Sequence, residues 1–126
     1  MNIYQQELLD HYHHSPHRGT IANPDFSSRE HNPSCGDKVS FTGQVQDNVL
    51  IALCFEGSGC VISQAAASLL AKKADQSLVT NILDFDAGYM INLVGIPLGP
   101  TRLKCALLPL QALQQGLQVY HSKKQG

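Results

Sequence analysis

Three cysteines and one aspartate, far apart in the chain, are the residues best suited to chemistry. Cys35 and Asp37 stand in Asn32-Pro33-Ser34-Cys35-Gly36-Asp37, Cys60 in Gly57-Ser58-Gly59-Cys60-Val61-Ile62-Ser63, and Cys105 in Arg102-Leu103-Lys104-Cys105-Ala106. Thiolate is the soft ligand that zinc, ferrous iron and iron–sulfur clusters accept, and it is also the nucleophile of thiol exchange. Three thiolates and a carboxylate complete a tetrahedral shell. Gly36 leaves the backbone free to fold so that Cys35 and Asp37 face one ion. Cys60 lies just ahead of an expected helix N-terminus, where the macrodipole and free N–H groups favour the thiolate. Cys105 is expected at the start of the last helix, in the same field, with Arg102 and Lys104 adding positive charge. All three thiols are therefore expected to ionise more readily than a core cysteine.

Spacing alone leaves two readings open, a shared metal site or scattered cysteines. No Cys-x-x-Cys pair is present, so the usual structural-zinc signature is missing. Cys54 sits mid-strand among Ala52, Leu53 and Phe55 and reads as core. The histidines of His11-Tyr12-His13-His14-Ser15-Pro16-His17 read as a solvated helix end, and His31 as a polar neighbour of the first motif. Arg102 and Lys104 are either solvated charges or functional neighbours of a thiolate.

The elements that must position these residues follow from periodicity. Tyr4, Leu8 and Tyr12 at i, i+4, i+8 predict a helix from residue 3 to about 14, ended by Pro16. Residues 25–31 fit a short edge strand. Val39, Phe41, Gly43 and Val45 alternate with polar residues, a half-buried strand. Asp47-Asn48 is hairpin-turn chemistry, and Val49 to Phe55, apolar at nearly every position, reads as the central, more buried strand. Gly57 and Gly59 are expected to break it. A helix with Ser63 as N-cap should follow, to about Ala74. A short helix over 77–86 is closed by Gly88, and Gly95 to Pro100 is loop. The terminal helix runs from Leu103. Either it begins close to Cys105, so that Pro109 falls in the first turn, or it kinks there. Strands segregated from helices predict an α+β fold, a small sheet with helices packed on one face, in a single domain over 1–126.

The 126 residues are 43% hydrophobic and 15% charged, with a net charge of −1. No basic footprint for nucleic acid appears, and no apolar run reaches the ~20 residues of a membrane span. The opening residues carry no signal-peptide pattern, which sets the expectation of a cytoplasmic protein with reduced thiols.

The three cysteine motifs, in this order and with these flanks, resemble those of the iron–sulfur cluster assembly scaffolds, the NifU N-terminal and IscU-like family, and most closely its SufU branch. Tyr4 and Leu9-Asp10-His11-Tyr12 also resemble the family's opening helix. The resemblance covers nearly the whole chain. It implies a three-stranded antiparallel sheet in a SufE/NifU-like sandwich, with Cys35, Asp37, Cys60 and Cys105 as the metal or cofactor site. It also implies a cysteine desulfurase that delivers persulfide sulfur and recipient iron–sulfur apoproteins. In the IscU branch the site assembles a transient [2Fe–2S] cluster; in the SufU branch it binds zinc and a freed cysteine accepts sulfur.

Two departures bear on which occupant to expect. Lys104 stands where the IscU branch has a histidine, and Gly99-Pro100-Thr101-Arg102-Leu103 replaces its chaperone-recruiting Leu-Pro-Pro-Val-Lys. Cys60 and Cys105 are 45 residues apart, without the insertion typical of the SufU branch. The expected activity is a scaffold or sulfur acceptor rather than an enzyme; the alternative is a zinc-dependent sulfurtransferase that relays sulfur and holds no cluster. Cys105 is expected to be the first acceptor, on an outward-facing helix end. Competing classes are a zinc hydrolase or deaminase, for which Glu56 is the nearest candidate base, and a domain that zinc merely folds.

Overall fold

The computed structural model describes residues 3–125. Strands β1 (Phe26–Asn32), β2 (Asp37–Gln46) and β3 (Val49–Ser58) form an antiparallel sheet in the order β1-β2-β3. Val39, Phe41 and Gly43 of β2 are buried while Ser40, Thr42 and Gln44 are half-exposed, as the alternation requires. Asp47 and Asn48 both take left-handed backbone, at φ 53° and 65°, which matches the twist of the hairpin they join.

The expectation that β3 is the central strand is overturned, because β2 lies between its two neighbours. Two features explain the apolar run. A bulge between Gln44 and Val45 pairs Val45 with Leu50 and Gln44 with Ala52, so Ile51 is the extra residue. Leu50, Leu53 and Phe55 can then all face the core, while Ile51 is 38% exposed. The outer edge of β3 is also covered. The Phe55 N–H donates to the His17 carbonyl and the Gly19 N–H to the Phe55 carbonyl, both at 2.8 Å, and Leu50 exchanges backbone bonds with Gln76 and Ser77. Nor does Gly57 break the strand, which runs on to Ser58.

Among the described residues, five helices flank the sheet: α1 (Ile3–His13), α2 (Val61–Ala74), α3 (Val79–Leu83), α4 (Ala87–Val94) and α5 (Pro100–Gln125). Helix α2 is buried along most of its length, and its run Ala65-Ala66-Ala67 with Ala71 and Ala74 lets it approach the sheet and α5 closely. Helix α5 lies across β1 and α2, and Gly116 brings its backbone against Phe26 and the Ser28 side chain. Leu8 of α1 is buried as expected; the side chain of Tyr4 lies outside the described residues. Among the described residues no helix is long and apolar enough to cross a membrane.

Three helix expectations need correction. Cys60, not Ser63, caps α2. Gly88 closes nothing: α3 ends before Asp84, and Gly88 lies in the first turn of α4, a helix the sequence reading passed over. Asp86 caps α4 by accepting the Tyr89 N–H at 2.8 Å, and Gly95 ends it in left-handed backbone. Helix α5 begins at Pro100, so Cys105 lies in its second turn and Pro109 in its interior. Lacking an N–H, Pro109 leaves the Cys105 carbonyl without its usual helical partner.

Candidate metal centre

Each of the two strand-borne loops is held in shape by its own backbone. In the β1–β2 turn, Asn32 opens an Asx turn: its side-chain oxygen accepts the Ser34 N–H at 3.1 Å, and its carbonyl accepts the N–H groups of Cys35 (3.2 Å) and Gly36 (2.8 Å). Gly36 is left-handed at φ 72°. The turn leaves Cys35 partly exposed and starts β2 at Asp37, which has no exposed surface. At the end of β3 the chain turns through Gly59, at φ 125°. A Cβ at this position would collide with the Asp37 carboxylate and lie 2.7 Å from the Asp37 Cα. Only glycine permits that approach.

The approach brings Cys60 onto the aspartate. Its N–H donates to Asp37 Oδ1 at 2.8 Å and its thiol to Oδ2 at 3.6 Å. The same sulfur accepts the Ser63 N–H at 3.4 Å, the capping bond that starts α2. From the other side of the core, α5 delivers Cys105. The sulfurs of Cys35 and Cys105 and a carboxylate oxygen of Asp37 all lie within 4.8 Å of one another. Cys105 is also hydrogen-bonded to Cys60. The four residues singled out in the sequence thus meet.

The electrostatics of Cys105 are the reverse of the expectation. Cys105 is 3% exposed, and its thiol is pushed well above the ordinary range, first by burial, then by its hydrogen bonds to Asp37 and Cys60 and the charge of Cys60. The outward-facing helix end expected for Cys105 is absent, because α5 begins five residues earlier, at Pro100. A thiol so placed stays neutral until a cation arrives. Asp37 is a fully buried carboxylate and, among the described residues, has no cationic partner within ion-pair distance.

The remaining candidates stand apart. His31 pairs with Lys38 on the opposite, outer face of the sheet, and Glu56 shares that face, its carboxylate accepting the Thr20 hydroxyl at 2.9 Å. Glu56 therefore offers the cluster no general base. His11 shares a hydrogen bond with Ser68 at 2.9 Å, His17 pairs with Asp75 at 3.2 Å, and His13 and His14 are exposed. Cys54 is half-buried near Asp75 rather than in the core, its thiol raised by burial and then by that carboxylate. Arg102 and Lys104 are exposed on α5 and make no ion pair among the described residues.

The family model described as the NifU-like N terminal domain matches residues 3–126. The chain belongs to this family. It is 28% identical to the zinc-dependent sulfurtransferase SufU of Bacillus subtilis, over 91% of this chain and 89% of that protein. It is 30% identical to the iron-sulfur cluster assembly scaffold protein IscU of Thermotoga maritima, over 92% of this chain and 93% of that protein. Among solved structures, the iron-sulfur cluster assembly scaffold protein for the SUF system from Fervidobacterium islandicum superposes with a TM-score of 0.76 at 26% identity, covering 89% and 94% of the two chains.

This NifU-like domain also contains a residue the sequence reading did not single out. Gln64, in the first turn of α2, is 2% exposed. Its side-chain N–H groups reach the carbonyls of Lys38 (3.3 Å) and Ser58 (3.1 Å) and the Ser63 hydroxyl (3.1 Å). It thus ties the residue after Asp37 and the end of β3 to the helix that Cys60 starts. Gly57 makes room for it: a Cβ there would strike the Lys38 carbonyl and stand 2.7 Å from Gln64 Oε1. A long polar side chain directly before a run of alanines was the signal available.

Proposed function

We propose that this protein assembles iron–sulfur clusters, holding a metal or nascent cluster on Cys35, Asp37, Cys60 and Cys105 and accepting persulfide sulfur from a cysteine desulfurase. The observation that carries the reading is Asp37, a buried carboxylate with no cation beside it, set among three thiols. That donor set fits zinc or ferrous iron, and a bound cation would offset the cost of burying the charge. Three sulfurs bind firmly, while the harder oxygen suits exchange.

Sulfur arrives by thiol chemistry. A thiolate attacks the terminal sulfur of the donor's Cys–S–SH; the old S–S bond breaks, the donor cysteine leaves as thiolate, and the attacking residue becomes the persulfide, with no net redox change. Burial and hydrogen bonding distinguish the candidates. Cys105 is buried, and the Cys60 sulfur is engaged by Ser63 and Asp37. Cys35, on an exposed turn, is the acceptor we assign in place of Cys105. Assembled clusters then pass to recipient apoproteins. The setting is the reducing cytoplasm.

A second reading, a zinc-dependent relay that holds no cluster, is favoured by Lys104 standing where the cluster-building branch has a histidine, and by the likeness to the Bacillus protein. Metal analysis and visible absorption of protein purified without oxygen separate the two. Iron with sulfide absorption supports the scaffold, and zinc with desulfurase stimulation supports the relay. Neither metal, together with no stimulation, rejects both. Persulfide uptake that persists in Cys35→Ser rejects the acceptor assignment.

A further inference from the structure

The helices cover one face of the sheet. On the other face, residues 21–25 cover the hairpin end: the Ile21 N–H donates to the Thr42 hydroxyl at 3.0 Å, and the Asp25 carboxylate accepts the Val45 N–H at 2.8 Å. The half nearest the cysteines is an open depression of about 870 Å³ whose walls include Arg29, His31, Lys38 and Glu56. In the register, Arg29 lies opposite Ser40 and His31 opposite Lys38, so these side chains project together from the outer face. Glu56, the one carboxylate among them, already accepts from Thr20, and no acid pairs with Arg29 or Lys38 among the described residues. The depression thus carries three cations, Arg18, Arg29 and Lys38, against one carboxylate, in a chain whose net charge is −1. Lys38 follows Asp37, and His31 precedes the turn that carries Cys35.

We propose that this basic half of the outer sheet face docks an acidic surface segment of the sulfur donor, placing the donor's persulfide at Cys35. The inference rests on the functional reading above and adds to it the face used and the charge of the partner. A local field of this kind speeds encounter and orients the arriving molecule more than it adds affinity.

The test uses the full chain and the cysteine desulfurase of the same organism, with association rates followed across a salt series. Two double variants carry equal charge changes: R29E/K38E on the proposed face, and K72E/K73E at the far end of α2. For R29E/K38E the association rate at low salt falls about tenfold or more and its salt dependence flattens; K72E/K73E stays within about twofold of wild type. Zinc affinity and thermal unfolding, read in parallel, show whether the folded site is intact; R29Q/K38Q gives the same readout with a smaller change if charge reversal perturbs it. A wild-type rate in R29E/K38E and R29Q/K38Q, or equal losses in R29E/K38E and K72E/K73E, overturns the docking face while leaving the functional reading in place. A wild-type chain that neither binds nor stimulates the desulfurase overturns both.

Discussion

Asp37 accepts a backbone N–H and a thiol, has no exposed surface, and faces Cys35 and Cys105 as well as Cys60. As the single oxygen donor of the proposed sulfur-rich set, it would be the ligand most readily exchanged. Asp37→Ala should therefore lengthen the life of a reconstituted cluster, followed as visible absorption over time; equal or faster loss would count against exchange at this residue. Gln64 acts one step further out, through the backbone that carries Asp37 and Cys60. Gln64→Met keeps the volume but leaves the Lys38 and Ser58 carbonyls short of a donor, a cost of about 1–3 kcal/mol in denaturant unfolding. Metal affinity should fall with it, and Gln64→Glu, which restores acceptors but too few donors, should not rescue either.

At the level of elements, the strand-to-helix junction does more than connect. Gly59 carries a backbone angle that L side chains rarely adopt and stands against Asp37, so Gly59→Ala should cost at least about 2 kcal/mol and lower metal affinity together. Stability without metal binding affected would show that the junction does not position the site. Helix α1 meets α2 through His11 and Ser68. Burial, and then the Lys72 charge, hold the His11 imidazole below its ordinary 6.5. The folded state thus binds fewer protons than the unfolded one, and the stability this contributes is present above 6.5 and lost as pH falls through the lowered value. Melting temperatures measured from pH 7.5 to 5 should drop, and less steeply in His11→Gln. Parallel curves would reject the assignment. The elements themselves were legible where a local rule governs them, as at the Asp47-Asn48 turn. The bulge that leaves Ile51 outside, and the early start of α5 at Pro100, depend on partners far along the chain.

For the whole molecule, the core is built from Phe41, Phe55, Leu50, Leu70, Leu113 and Leu117, all buried, and lies between sheet and helices rather than around the cysteines. A domain with such a core should keep a cooperative unfolding transition after chelation, with a lower midpoint, unlike a small zinc-folded module. Loss of near-ultraviolet circular dichroism at room temperature on chelation would show that metal folds the chain. The charge distribution belongs to the same scale. Arg29 and Lys38 look unremarkable in sequence, separated by the Cys35 turn, and become one basic face only when β1 pairs with β2.

What the sequence alone determined was the chemistry on offer: three thiols and a carboxylate, glycines where the backbone must turn, and periodicities that imply a small sheet under helices. These are properties of residue types and near neighbours, so they can be read without a fold. Tertiary structure decided that residues 35, 37, 60 and 105 meet, that Cys105 is sealed while Cys35 is partly exposed, and that Gln64 braces the loops between them. Distance, burial and proton affinity depend on groups brought in from remote parts of the chain, and no local pattern encodes them.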